Sequence, residues 1–198
     1  MSPARSLAIF DFDNTLTTHD TLPMFIRFVN GNRKFINGLL RLLPTLILYK
    51  FHFIPNQKAK EKVLTYFFGG MEAEVFINHG KAFQRKILPG MLRKEAIMAL
   101  NRHKNSGDDI IVITASVEEW VKDWCMQQGI SCIATQIEKK ENRITGKIIG
   151  KNCYGEEKLR RLKEKIKLDQ YDEIHVYGDS KGDKALLQIA THPHFKTF

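Results

Sequence analysis

The stretch Leu7–Thr15, LAIFDFDNT, places two carboxylates one residue apart directly after four apolar residues. The apolar run Leu7–Phe10 predicts a short buried strand, because such a run ending at a polar cluster is typical of strands covered on both faces. Asp11 and Asp13 then stand just beyond the end of that strand. In an open parallel sheet, this end of the strands is where ligands bind.

Two later runs have the same character, namely Asp109–Ile113 and Glu173–Tyr177. Gly90–Lys104 and Glu118–Gln128 carry apolar residues at helical spacing and separate these strands. Strands that alternate with helices predict an α/β fold with a doubly wound parallel sheet. Arg143–Ile149 adds one arm of a small hairpin.

The long segment 20–88 interrupts this alternation, because it has a helical pattern throughout. We expect breaks in it at Gly31, Pro44, Pro55 and Gly69-Gly70. The segment is therefore predicted to be a helical cap inserted after the first strand. The predicted catalytic core comprises residues 1–19 and 89–198.

The composition is that of a globular protein, with 198 residues, 43% hydrophobic and 27% charged. Three cysteines without a CxxC pair indicate neither a disulfide framework nor a zinc site. The apolar run near the N-terminus is too short for a signal peptide, so we expect a cytoplasmic protein.

The net charge of +9 is concentrated in one segment. Thr21–Lys60 contains seven basic residues and no Asp or Glu. Such a segment is either a solvated basic face or a surface for an anionic substrate, nucleic acid or membrane.

Polar residues follow each of the three strands. Thr114-Ala115-Ser116 follow the second and Gly178–Asp183 follow the third. Together with the first strand, these ends supply four carboxylates: Asp11, Asp13, Asp179 and Asp183. Four carboxylates in one crevice repel one another unless a cation lies among them. A site of oxygen ligands without His or Cys favours Mg²⁺.

The acid pair suits phosphoryl transfer through an aspartyl phosphate. Asp11 would be the nucleophile, and Asp13 would first protonate the leaving group and then deprotonate the attacking water. A DxD pair alone is weak evidence for this chemistry, since surface acids occur by chance and sugar-nucleotide transferases also use such pairs.

The full set of motifs is more specific. DFDNT, IVITAS, the lysine of YGEEK and GDSKGD resemble, in order and spacing, the four signature motifs of the haloacid dehalogenase superfamily. The insertion stands where the phosphoserine-phosphatase-like branch of that superfamily carries its helical cap. The resemblance implies a Rossmann-like core and a Mg²⁺-dependent phosphatase.

The resemblance implies that Asp11 is both nucleophile and Mg²⁺ ligand, and that Asp13 is the acid/base and a ligand through its backbone carbonyl. Thr114 would hold a phosphoryl oxygen, and Lys158 would neutralise the phosphate and the nucleophile. As structural alternatives, Thr114 could merely end a strand, and Lys158 could be one of several solvated lysines.

The same resemblance makes Asp179 a Mg²⁺ ligand and Asp183 a ligand or the holder of a coordinated water. Asp20 stands where phosphoserine phosphatase has a Glu, and we assign it to substrate binding with Ala115, Ser116, Thr114 and Lys158. For Ser116 we favour a helix cap, because Ser116–Glu119 has the pattern of a capping box.

The substrate is expected to be a small phosphorylated metabolite or a lipid head-group phosphate, because the cap resembles that of phosphatidylglycerophosphate phosphatases. Its apolar run Phe35–Ile54 has only eight residues between Arg41 and Lys50, too few for a membrane span. These side chains either pack the cap or lie on an anionic membrane surface, which would make the protein peripheral at the inner face of the membrane.

Two alternative functions belong to other classes of protein. A receiver domain also combines an acidic cluster with Thr and Lys, but the insertion and the second acid pair disfavour it. A basic nucleic-acid-binding module has no groove-reading motif here, so no nucleic acid partner is expected.

Overall fold

The computed structural model describes residues 5–198, in which a parallel sheet forms the centre of the molecule. The strands are β1 (Ser6–Phe10), β2 (Asp109–Val117), β3 (Ser131–Thr135), β4 (Ile137–Lys140), β5 (Arg143–Ile148), β6 (Glu173–Gly178) and β7 (His192–Phe195). Five of them form a parallel sheet in the order β3-β2-β1-β6-β7, and β4 and β5 form a separate antiparallel hairpin. The predicted α/β fold, its three strands and the hairpin arm are confirmed.

β1 lies in the middle of the sheet, with Ala8 paired to Ile110 on one side and to His175 on the other. The chain builds β2 and β3 on one side of β1 and later β6 and β7 on the other. The strand order therefore reverses at β1, which makes the carboxyl end of this strand the expected binding crevice.

Helices cover both faces of the sheet and fill the insertion. They are α1 (Thr21–Lys50), α2 (Asn56–Phe68), α3 (Ala73–Lys86), α4 (Leu88–Met91), α5 (Lys94–Ser106), α6 (Lys122–Gln127), α7 (Glu156–Lys165) and α8 (Lys184–Leu187). Successive residues of β1 point to opposite faces. Phe10 accordingly packs in one hydrophobic cluster and Ile9 in another. No helix within residues 5–198 combines the length and the apolar character needed to cross a bilayer.

The expected break at Pro44 is wrong, because α1 continues through this residue to Lys50. A proline within a helix deprives the carbonyl four residues earlier of its donor. That residue is Leu40, which is exposed, so water can satisfy its carbonyl. The expected change of direction does occur at Gly31, whose φ of 75° is left-handed.

Two predicted helices are each interrupted by tertiary contacts. The helix expected over Gly90–Lys104 is divided between α4 and α5, because the backbone N–H of Arg93 donates to the Leu16 carbonyl at 2.8 Å. The helix expected over Glu118–Gln128 becomes a 3₁₀ turn, Glu118–Trp120, followed by α6. There the Trp120 ring stacks on Phe25 at a centroid distance of 4.5 Å.

The helices of segment 20–88 share one hydrophobic cluster with one face of the sheet. α3 packs on the Glu118–Trp120 turn so closely that a Cβ at Gly80 would overlap the carbonyl oxygen of Glu119. The hairpin joins the loop after α2, where the Gly70 N–H donates to the Ile144 carbonyl at 2.8 Å. The division into core and cap stays a prediction, and these contacts connect the two parts extensively.

Candidate active site

A cavity of about 470 Å³ opens at the carboxyl ends of β1, β2 and β6, and α1 and α2 border it on the other side. Most of the predicted site residues line this cavity. They are Asp11, Asp13, Asp20, Thr114, Ala115, Ser116, Lys158 and Asp179. Asp183 lies directly behind them. The topology therefore brings together residues that are up to 172 positions apart in the sequence, from Asp11 to Asp183.

Lys158 connects two of these carboxylates. Its ammonium donates to Oδ1 of Asp11 and to Oδ1 of Asp183, each at 2.6 Å. The side chain is only 3% exposed, so it is not one of the solvated lysines of its helix. Gly155, whose φ is 62°, precedes α7 and donates its N–H to the Gly182 carbonyl at 3.1 Å. This contact holds the first turn of α7 against the loop that follows β6.

The loop after β6 is organised around the second carboxylate oxygen of Asp183. This Oδ2 accepts hydrogen bonds from the N–H groups of Asp179 and Ser180 and from the Ser180 hydroxyl, at 2.9–3.2 Å. A side chain at Gly178 would overlap Asp183, so glycine permits this close approach. Asp183 thus shapes the loop that presents Asp179 to the cavity.

Asp13 is held by two donors from different parts of the chain. Its Oδ1 accepts from the N–H of Thr21 at 2.8 Å, and its Oδ2 lies 2.6 Å from the hydroxyl of Ser116. The capping-box prediction for Ser116 is wrong, because this residue lies inside β2 and Val117 precedes the next turn. The sequence pattern misleads here because β2 continues through residues that match a helix cap.

Thr114 and Asp20 also have structural partners. The Thr114 hydroxyl oxygen accepts from the Ser116 N–H at 2.9 Å and retains its own hydrogen for a second partner. The Asp20 carboxylate accepts from the Leu22 N–H at 2.8 Å and so caps the N-terminus of α1. Both residues still line the cavity.

The electrostatics of the cavity reflect a shortage of positive charge. Burial raises the pKa of Asp11 to about 7, although Lys158 opposes the shift. Burial and the neighbouring Asp183 also raise the pKa of Asp179. For Lys158 itself, burial opposes the charge, but Asp11 and Asp183 outweigh it and raise its pKa. Lys158 therefore does not fully compensate Asp11, Asp179 and Asp183, and a further cation would favour their ionised forms.

Asp11, Asp179 and Asp183 are suited to hold that cation, because one oxygen from each lies within 4.8 Å of the others. The donors are all carboxylate oxygens, which is the chemistry that Mg²⁺ prefers. The fourth predicted ligand, Asp13, has its carboxylate engaged by Thr21 and Ser116. Its backbone carbonyl, named in the prediction, is the remaining donor.

The insertion supplies a polar group to the cavity that the sequence patterns did not identify. Lys60 of α2 donates to the Ala115 carbonyl and, at 3.1 Å, to Oδ1 of Asn152. Asn152 in turn donates to Oδ1 of Asn56 at 2.6 Å, and the Asn56 amide donates to the Tyr49 hydroxyl at 2.9 Å. All of these residues line the cavity. The basic character of Thr21–Lys60 was the only available signal, and it did not single out Lys60.

Comparison with known proteins is consistent with this geometry. A family model described as haloacid dehalogenase-like hydrolase matches residues 8–188. The chain is 31% identical to protein CicA of Caulobacter vibrioides over 97% of its length and 86% of that protein. It is 29% identical to a histidinol-phosphatase of Neisseria meningitidis, over 96% of this chain and 89% of that one. A solved structure titled as a phospho-aspartyl intermediate analogue of phosphoserine phosphatase has the same fold, with a TM-score of 0.66 and 19% identity over 96% of this chain and 85% of that one.

Proposed function

Because the chain belongs to the haloacid dehalogenase-like hydrolases and is a phosphatase, we propose that it hydrolyses phosphomonoesters through an aspartyl phosphate on Asp11, with Mg²⁺ as cofactor. The contact of Lys158 with both Asp11 and Asp183 carries this proposal. It places a buried ammonium against a buried carboxylate at the mouth of a cavity that is lined by further acids.

In the first step, the free oxygen of Asp11 attacks phosphorus while Lys158 and the Thr114 hydroxyl hold phosphoryl oxygens. The bond between phosphorus and the ester oxygen breaks, and Asp13 donates a proton to the departing alkoxide. The hydrogen bonds from Thr21 and Ser116 orient Asp13 for this transfer.

In the second step, Asp13 accepts a proton from a water molecule that attacks the same phosphorus. The bond between phosphorus and Asp11 breaks, and inorganic phosphate leaves. Mg²⁺, held by Asp11, Asp179, the Asp13 carbonyl and Asp183, would neutralise phosphoryl charge. Asp20, Ala115 and Ser116 border the part of the cavity that the rest of the substrate would enter.

The test is phosphate release from a panel of phosphorylated metabolites and lipid head groups in the presence of Mg²⁺. Asp11→Asn should abolish turnover, because an amide neither attacks phosphorus nor carries the charge of a ligand. Asp169→Asn, at an exposed acid outside the cavity, is the matched control and should turn over normally. Normal turnover by a folded Asp11→Asn protein would contradict the mechanism.

A lipid phosphate is a second candidate substrate, because α1 has an exposed apolar stripe formed by Ile36, Leu40, Leu43 and Ile47, which Phe51 continues directly after the helix. These residues are spaced three or four apart and therefore share one face of the helix. The opposite side of α1 buries Leu42 against the insertion, and Leu46 and Tyr49 line the cavity. One helix thus borders the site and also presents an apolar surface.

The charges around the apolar stripe favour an anionic bilayer as the surface that would cover it. Thr21–Lys60 contains no acid and, besides Lys60 in the cavity, six further basic residues, so phospholipid head groups would be attracted to it. A second copy of the chain would bring the same positive charges to the contact and be repelled. The leucine and phenylalanine side chains would enter the interface while the basic residues meet the head groups.

Co-sedimentation with vesicles tests this candidate. The protein should bind anionic vesicles, release them as salt rises, and lose binding when Leu40 and Leu43 are both changed to Gln. Met98→Gln, an equally exposed apolar position on α5, is the control and should bind normally. Equal binding to neutral vesicles, or none to either kind, would leave a soluble phosphorylated metabolite as the substrate.

A further inference from the structure

A group of imidazole and carboxylate side chains lies on the last two strands of the sheet, outside the cavity. Glu173 and His175 are two residues apart on β6 and therefore point to the same face. The parallel register places His175 directly beside His192 of β7. One potential ligand atom from each of these three residues lies within 4.8 Å of the other two. We call Glu173, His175 and His192 the edge triad.

The contacts of His175 leave one of its ring nitrogens facing the Glu173 carboxylate. Its Nδ1 lies 3.3 Å from Nε2 of His194, and its Nε2 lies 3.6 Å from Oε2 of Glu173. With the proton on Nδ1 and donated to His194, the lone pair of His175 Nε2 faces the Glu173 carboxylate. Metal-binding histidines are commonly oriented in this way through their second nitrogen.

Two further imidazoles lie beside the edge triad. The His194 ring lies 5.6 Å from the His175 ring. The His103 ring lies 4.8 Å from the His175 ring and is anchored by Asp108, whose Oδ2 is 2.6 Å from His103 Nδ1.

We propose that the edge triad binds one divalent transition-metal ion of the zinc type. Two imidazole nitrogens and a carboxylate, with a further position open to water, form a donor set that zinc uses. Mg²⁺ is disfavoured there because it prefers oxygen ligands. The bound ion would join β7, the edge strand, to β6.

This site is separate from the cavity. Along β6, at about 3.3 Å per residue, His175 lies about 13 Å and Glu173 about 20 Å from Asp179, which follows the end of the strand. The two sites also differ in chemistry, since one offers only oxygen donors and the other offers imidazole. Zinc binding and Mg²⁺-dependent turnover can therefore be measured independently.

The experiment is a zinc titration of the full chain, free of any affinity tag, against a chromogenic chelator with excess Mg²⁺ present. The wild-type protein should bind one equivalent of zinc, and His192→Ala and Glu173→Gln should bind it at least about tenfold more weakly. His52→Ala, at an exposed histidine in the loop between α1 and α2, is the matched control and should bind as the wild type does. Phosphatase turnover with Mg²⁺ should be unchanged in His192→Ala.

Substitution of cobalt for zinc gives a second readout, because the visible absorption of the coordinated ion should appear in the wild type and disappear in His192→Ala. Glu173→Gln keeps the size of the side chain and guards against loss of fold. Equal zinc affinity in the wild type and both variants would overturn the proposal. So would the absence of zinc binding by the wild type, and the stacked rings of His175 and His192, 4.4 Å apart, would then be packing alone.

Discussion

Lys158 joins two carboxylates that would otherwise repel each other beside the cavity. Its sequence context, EEKLRRLKEK, gives no reason to separate it from its neighbours without the motif resemblance. Burial distinguishes Lys158 from the other lysines of its helix. Away from water, the carboxylates of Asp11 and Asp183 hold its ammonium in one position. The same burial raises the pKa of Asp11 to about 7, so the charge of this side chain in the metal-free protein depends on pH near neutrality.

Asp13→Asn should separate the two chemical steps when p-nitrophenyl phosphate is the substrate. Nitrophenolate leaves without help from an acid, so phosphorylation of Asp11 should stay fast. Hydrolysis of the aspartyl phosphate needs a general base and should slow by about 10²-fold or more. Rapid mixing should show a burst of one nitrophenolate per site. A steady, normal rate without a burst would remove Asp13 from this role.

The raised pKa of Asp11 predicts how stability changes with pH in metal-free protein. Folded Asp11 keeps its proton up to about pH 7, whereas its ordinary pKa is 3.8. Between these values the folded state binds more protons than the unfolded state, so the free energy of unfolding should fall as pH rises. Urea unfolding in chelator at pH 5 and pH 7.5 should show a smaller fall for Asp11→Asn than for the wild type. Equal falls would contradict the assignment.

Among the secondary-structure elements, α3 makes a close contact with the backbone of the turn that follows β2. Gly80→Ala should destabilise the protein by about 1–3 kcal/mol, because the new methyl group would overlap the backbone of Glu119. Gly90→Ala, in the short helix α4, meets nothing within 4 Å and should be neutral or stabilise by about 0.4–1 kcal/mol. Thermal unfolding of the two variants side by side checks this, and similar melting temperatures would refute it.

The sequence predicted secondary-structure elements well wherever a run of apolar residues was uninterrupted. β1 and β6 were found because their apolar runs end at polar clusters. The break between α4 and α5 was not predicted, because it depends on a backbone hydrogen bond from Arg93 to Leu16, two residues that are far apart in the sequence. Lys60 and Asn152 were missed for the same reason, since only tertiary structure brings α2 to the end of β2.

For the molecule as a whole, divalent metal should govern both activity and stability. Chelation should abolish turnover and Mg²⁺ should restore it, whereas zinc should substitute poorly in a cavity of oxygen donors. Mg²⁺ should also raise the melting temperature, because a ligand that binds only the folded state stabilises it. Asp179→Asn should weaken both effects. Full turnover in excess chelator would reject the Mg²⁺ proposal.

The central position of β1 has a consequence for biosynthesis. This strand is synthesised before its two partner strands, which begin only at Asp109 and Glu173. At about 5–20 residues per second, its second edge stays unpaired for on the order of ten seconds or more. Sheets built from such distant contacts fold slowly, and the nascent chain exposes an aggregation-prone edge until β6 has been translated.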